Sequence, residues 1–131
     1  MFIDASAIVA MLVDEPEAAS LRSRVKGAAV VVVSPIAVYE ATLAITRIKA
    51  CPVASASRVV AEFVDLSGAE IMPIDEEIGE AAVDAFNRFG KGRHPAALNM
   101  GDCFAYACAR SRAMPLLCKG DDFARTDALL A

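Results

Sequence analysis

Short runs of apolar, β-branched residues alternate along the chain with longer segments whose apolar positions recur every three or four residues. Phe2-Ile3 opens a strand that stops at Asp4, and Ser6 is the predicted cap of a helix from Ala7 to Val13. Pro16, in a first helical turn, starts a second helix that reaches about Lys26. Ala29 to Val33 is an unbroken apolar run, the pattern of a strand covered on both faces. Ser34-Pro35 reads as N-cap and first residue of a helix that runs to Lys49 and ends before Pro52. Ala54 to Leu66 carries Val59, Val60, Phe63 and Val64 at helical spacing and is stopped by Gly68. Glu70 to Ile74 is a short strand, which Pro73 assigns to the edge of its sheet. Glu76 to Phe89 is an amphipathic helix with Ile78, Ala82, Ala85, Phe86 and Phe89 on one stripe, followed by the loop Gly90-Lys91-Gly92-Arg93-His94-Pro95. Asn99 or Gly101 begins a helix that reaches Arg112, and Pro115 to Cys118 is a strand. Asp121-Asp122-Phe123 opens a last turn ahead of Ala128-Leu129-Leu130. This alternation predicts an α/β domain of three layers, α/β/α, around a central parallel sheet of four to five strands.

The length, 131 residues, is enough for one domain and shows no repeat or linker, so a single domain over residues 1–131 is expected. Hydrophobic residues make up 56%, above the ~45–50% usual for soluble domains. Alanine supplies 27 of them, which favours close packing of helices. Cys51, Cys103, Cys108 and Cys118 form no C-x-x-C pair and read as reduced thiols, not a zinc site. The longest uncharged stretch, Gly27 to Tyr39, is interrupted by Pro35 and is too short for a bilayer core, which takes ~20 residues. The first residues lack the basic and apolar regions of a signal peptide, so no membrane association and a cytoplasmic location are expected.

The net charge is −4 and the pI about 4.9, the wrong sign for a general nucleic-acid coat protein. The placement of the acids changes that picture. Asp4 lies where a strand hands over to a helix, and Asp121 and Asp122 lie just after the strand Leu116-Leu117-Cys118. In open parallel sheets the carboxyl ends of the strands form the ligand crevice, so these acids should share one edge. Asp102 falls in the first turn of its helix, where capping and the helix dipole alone can account for an acid. Glu40 interrupts an apolar helix face made by Ile36, Ala37, Leu43 and Ala44. A carboxylate there is costly unless something pairs with it, and Arg47, two turns on, is one available partner. Asp75, Glu76, Glu77, Glu80 and Asp84 read as helix N-terminal charges and a solvated face.

Acids gathered in one crevice raise each other's pKa, and a divalent cation relieves their repulsion. An all-oxygen set without His or Cys favours magnesium or manganese. Asp4, Glu40, Asp102 and Asp122 together equal the whole net charge. Carboxylate-held Mg²⁺ polarises a phosphate and activates water for in-line attack, which fits phosphodiester hydrolysis. A nucleophilic Ser or Cys paired with histidine is not apparent: the sole histidine, His94, lies in the Gly/Pro loop.

The opening Phe2-Ile3-Asp4-Ala5-Ser6-Ala7, then Glu40, then Leu98-Asn99-Met100-Gly101-Asp102-Cys103-Phe104-Ala105-Tyr106-Ala107, and finally Leu116-Leu117-Cys118-Lys119-Gly120-Asp121-Asp122-Phe123 resemble the PIN-domain ribonucleases. More narrowly they resemble the VapC toxins of bacterial VapBC toxin–antitoxin modules. The resemblance covers essentially the whole chain, in order. It implies a Mg²⁺-dependent endoribonuclease, with Mn²⁺ as an alternative ion, that cuts tRNA or rRNA, forms a homodimer and is neutralised by a VapB-like antitoxin. It further implies that Asp4, Glu40, Asp102 and Asp122 are the catalytic, metal-binding acids, with Asp4 and Asp102 the principal ligands and Asp121 the alternative to Asp122. Ser6 matches a small hydroxyl residue that would orient Asp4 or a metal-bound water; a simple helix cap is the other reading.

Lys91, Arg93 and His94 are candidates to contact RNA phosphates, with a solvated loop the alternative. Arg110, Arg112, Lys119 and Arg125 are weaker candidates, and Phe104 and Tyr106 are read as core. The resemblance to the PIN fold leaves a shortened or missing last strand, because little chain follows Asp127. Two other functions remain open. A Mg²⁺-binding receiver-like signalling domain would need an Asp after a central strand, where this chain has Ser34-Pro35 after Val33. A catalytically silent PIN scaffold would be expected to have lost acids that are all present here.

Overall fold

A computed structural model describes residues 1–131. The strands are β1 (Phe2–Ile3), β2 (Val32–Val33), β3 (Glu70–Ile71) and β4 (Leu116–Leu117). The helices are α1 (Ala5–Leu12), α2 (Ala18–Gly27), α3 (Pro35–Ile48), α4 (Val53–Leu66), α5 (Glu76–Phe89) and α6 (Met100–Ser111), with a 3₁₀ turn at Phe123–Arg125. All strand pairs are parallel, in the order β3-β2-β1-β4, with Phe2 opposite both Val32 and Leu116. Beyond β4 the last strand is abbreviated, as expected, to one parallel bridge, Leu116 to Leu130.

Two apolar cores lie on opposite faces of this sheet, and the two-residue period of the strands sorts them. Ile3, Val33 and Leu117 point to one face and pack with α1, α2, α3 and α4 through Ile8, Leu21, Ala41, Ile45 and Val60. Phe2, Val32 and Leu116 point to the other and pack with α5 and α6 through Ile78, Ala85, Cys103 and Cys108. Three layers follow, as expected. The chain leaves β1 into α1 on the first face, whereas after β4 Phe123 packs on the second. The two faces thus part beyond the carboxyl ends of β1 and β4, the place where open α/β sheets bind ligands.

Ser34 caps α3 with its Oγ accepting from Ala37 N at 3.1 Å, and Pro35 is the first helical residue, as predicted. Asp75 caps α5, and β3 stands at the sheet edge. Strand β3 stops at Ile71 rather than Ile74, and β4 is Leu116–Leu117 rather than Pro115 to Cys118. Four further details differ. Helix α1 begins at Ala5 and its cap is Asp4, not Ser6. Helix α2 begins at Ala18 rather than in the turn of Pro16, with Glu17 as its N-cap. Only Val32–Val33 of the Ala29–Val33 run is strand; Ala29 is exposed and Val30 is 50% exposed, because their neighbour β3 pairs only from Glu70 onward. Phe86 is 41% exposed and lies under the Arg93 guanidinium instead of in the core. All four cysteines are free, Cys103 and Cys108 buried, Cys51 and Cys118 half-buried. No helix is long and apolar enough to cross a membrane.

Candidate active site

Asp4 follows the last residue of β1, and its backbone N donates to Leu117 O of β4 at 2.9 Å. The residue is only 4% exposed. Oδ2 accepts from Ser6 N at 2.9 Å and from the Ser6 hydroxyl. That same hydroxyl accepts from Lys119 N at 2.9 Å. Ser6 therefore holds the Asp4 carboxylate with one hand and the loop after β4, which carries Asp121 and Asp122, with the other.

Asp102 is the third residue of α6, in a reciprocal capping box: Asn99 N donates to Asp102 Oδ2 at 2.8 Å, and Asp102 N donates to Asn99 Oδ1 at 3.0 Å. One carboxylate oxygen is thus committed to the helix start, which fixes the direction of the other. Glu40 reaches across from α3 to this same first turn. Its carboxylate lies directly against Gly101, where a Cβ would stand 2.0 Å from Oε2. Arg47 does not pair with it.

The electrostatics show that these acids are neighbours. Burial, then the charges of Asp4 and Asp102, push the Glu40 carboxyl up to about 7. Burial raises Asp102 to about 6, opposed by the Asn99 N–H and reinforced by the charges of Asp4 and Asp122. Burial raises Asp4 as well, against the stabilising hydrogen bonds from Ser6. Burial and the charges of Asp4, Asp102, Asp122 and Asp121 keep the Cys118 thiol protonated, up to about 11. The charge of Asp122 thus reaches both Asp102 and Cys118, and that of Asp121 reaches Cys118.

No lysine or arginine forms an ion pair with Asp4, Glu40, Asp102, Asp121 or Asp122, although six such pairs exist elsewhere. The side chains do not by themselves close into a tight cage of three or more ligands. The donor set nevertheless suits a hard, hydrated dication, which binds through a few carboxylates and keeps several waters. Acids held together without a protein cation have that one common means of becoming fully ionised at neutral pH.

Residues 1–129 match the PIN-domain family. The chain belongs to that family. Its relatives include a VapC ribonuclease of Rhizobium meliloti (strain 1021), 39% identical over 138 residues that cover 96% of this chain and 97% of the relative. Ribonuclease VapC30 of Mycobacterium tuberculosis is 36% identical over 127 residues, covering 97% of this chain and 95% of its own. The fold is also that of the M. tuberculosis VapC20 crystal structure, described as a sarcin-ricin loop cleaving toxin: TM-score 0.78 at 14% identity, over 99% of this chain and 97% of that one. A toxin–antitoxin complex from Klebsiella pneumoniae aligns with TM-score 0.70 at 16% identity, over 99% of this chain and 95% of that one.

In this PIN domain the Lys91–His94 loop joins the end of α5 to the start of α6, beside the Asp102 turn, with Lys91 N donating to Leu98 O at 3.0 Å. Arg125, just past Asp122, donates to Pro95 O at 3.0 Å and ties the loop to the opposite wall. Lys91 and Arg93 are exposed there. His94 is turned inward: Nδ1 accepts from Ala96 N at 3.1 Å and the ring packs edge-on against Phe89. Lys119, in the loop after β4, pairs with Glu15, just past the end of α1. Arg110 and Arg112 are committed elsewhere, to Asp127 and Glu70. Tyr106 is buried with its hydroxyl on Asp127, while Phe104 is half-buried.

Sequence reasoning gave no site role to Gly101 or Cys118 and did not anticipate the bond from Lys119 N to Ser6. Gly101 carried a signal: it sits in a first helical turn without a left-handed backbone, where alanine would serve a helix better.

Proposed function

We propose that this VapC-like PIN domain is a Mg²⁺-dependent endoribonuclease toxin that hydrolyses RNA phosphodiester bonds, with Mn²⁺ as a working substitute. The observation that carries the reading is the group of acids at the carboxyl ends of β1 and β4, none of them neutralised by a protein cation. Divalent-metal dependence is general among PIN-domain ribonucleases. Asp4 and Asp102 are the principal ligands in this reading, with Glu40 and Asp122 completing the set and Asp121 at its margin. The bound ion would supply charge neutralisation at the scissile phosphate and a lowered pKa for water.

The chain's own residues do the rest. Ser6 orients the Asp4 carboxylate, and the capping box directs Asp102. Glu40, seated against Gly101, brings its carboxylate to the set from α3. Lys91 and Arg93 receive flanking phosphates at the rim, offsetting the repulsion between the acids and RNA. His94 serves that loop through its inward contacts. The substrate class is tRNA or rRNA, as the resemblance to the VapC toxins implies. A VapB-like antitoxin neutralises the enzyme, the working form is a homodimer, and the setting is the cytoplasm.

Purified protein incubated with labelled RNA and Mn²⁺ tests the reading. Cleavage that disappears in Asp102→Asn, with an unchanged circular dichroism spectrum, is the expected result; full activity in that variant would refute the assignment. Labelling by acetyl phosphate without cleavage would favour a receiver-like domain, and neither activity a silent scaffold.

A further inference from the structure

We infer that Gly101 is a positioning residue: the absence of its side chain forms the seat that holds the Glu40 carboxylate inside the crevice. For activity the inference rests on the ribonuclease reading; for the contact itself it stands alone. A Cβ built on Gly101 lies 2.0 Å from Glu40 Oε2, 2.1 Å from Oε1 and 2.3 Å from Cδ. Both oxygens and their carbon are this close, so the carboxylate lies over the glycine as over a floor.

The backbone does not require glycine there. Gly68, Gly92 and Gly120 have positive φ; Gly101 does not, and it sits in the first turn of α6, where alanine is the better helix former. What glycine uniquely supplies is close approach. The neighbour it admits is the mobile end of a long side chain on α3, half-exposed and next to the partly exposed Leu43. A methyl group at Gly101 therefore displaces Glu40 toward solvent without forcing backbone apart. The displacement needed to restore ordinary contact is more than 1 Å, starting from 2.0 Å. Misplacement on that scale can cost on the order of 100-fold in rate.

The coupling gives a test that a merely structural role would not pass. Gly101→Ala should lose about 100-fold in kcat/KM with its fold retained. Glu40→Asp withdraws the carboxylate by about one C–C bond, ~1.5 Å, and frees the seat. Glu40→Asp alone should be impaired, and adding Gly101→Ala to it should cost less than about 3-fold more, because the contact is already gone.

Thermal melting of the cation-free proteins supplies a readout independent of activity. Gly101→Ala should raise Tm in the Glu40→Ala background, and by at least about 2 °C more than it changes Tm in the wild type. If Gly101→Ala alone fails to fold, its rescue by Glu40→Ala reports the same contact, and failure of the double variant would overturn it. Equal Tm changes in both backgrounds, or Gly101→Ala cleaving RNA within 3-fold of an active wild type, would also overturn the inference. A wild type that never cleaves RNA would sink the ribonuclease reading while the melting cycle still decided the seat.

Discussion

Raising the pH of the cation-free protein should destabilise it, by an amount the acid cluster sets. Glu40 titrates near 4.5 when unfolded and at about 7 when folded, and Asp102 near 3.8 and about 6. Between the two values of each group the folded chain binds more protons than the unfolded one, so stability is greatest at the acidic end and falls as pH rises through the folded values. From pH 5 to 7.5 that involves roughly two decades for Glu40 and one for Asp102, at about 1.4 kcal/mol each, or ~4 kcal/mol before screening. Both side chains are partly open to water, which reduces the loss to about 2 kcal/mol. Asp4 is raised in the same sense, and Asp127, held down to about 2 by Tyr106 and Arg88, titrates below the window. With a urea slope of ~2 kcal/mol/M, the midpoint should drop by about 1 M. Urea unfolding monitored by circular dichroism in excess chelator measures it, alongside Glu40→Gln and Asp102→Asn, each of which should flatten the profile. A wild-type profile that is level or rises over this range, or one unchanged in both variants, would show that these carboxyls are not buried together.

Ser6→Ala should destabilise the protein by about 1–2 kcal/mol, because the hydroxyl bonded to both Asp4 and Lys119 N is lost; calorimetry with an unchanged Tm would contradict the bridge. Lys91→Ala and Arg93→Ala should each raise KM several-fold with little change in kcat, and reduce the salt dependence of RNA binding by about one phosphate contact. Steady-state cleavage across a salt series checks both. Tyr106→Phe removes the hydroxyl shared by Arg88, Arg110 and Asp127 and should lower stability by about 1 kcal/mol, read as a shifted urea midpoint.

Elements whose ends carry their own chemistry were legible from sequence. Helix α5 has the predicted bounds because Asp75 caps it and Gly90 ends it, and α3 starts where Ser34-Pro35 places it. The acids at strand ends pointed to one crevice because a parallel sheet puts all carboxyl ends on one edge. What escaped depends on partners distant in sequence. Ser6 and Asp4 are both good caps; Ser6 is otherwise engaged by Lys119 N, 113 residues away. Ala29 and Val30 look like strand, yet pairing with β3 stops short of them. Arg47 had the spacing to meet Glu40, whereas the packing of α3 on α6 turns that carboxylate to Gly101. Phe86 matched the apolar stripe of α5 but faces the loop carrying Arg93.

The direct test of the cation-binding crevice is anomalous diffraction from crystals of the protein grown with Mn²⁺. A manganese peak bounded by the carboxylates of Asp4 and Asp102, with Glu40 and Asp122 around it, is the predicted result. Ordered crystals that show no peak there, or only one bound by other residues, would contradict it.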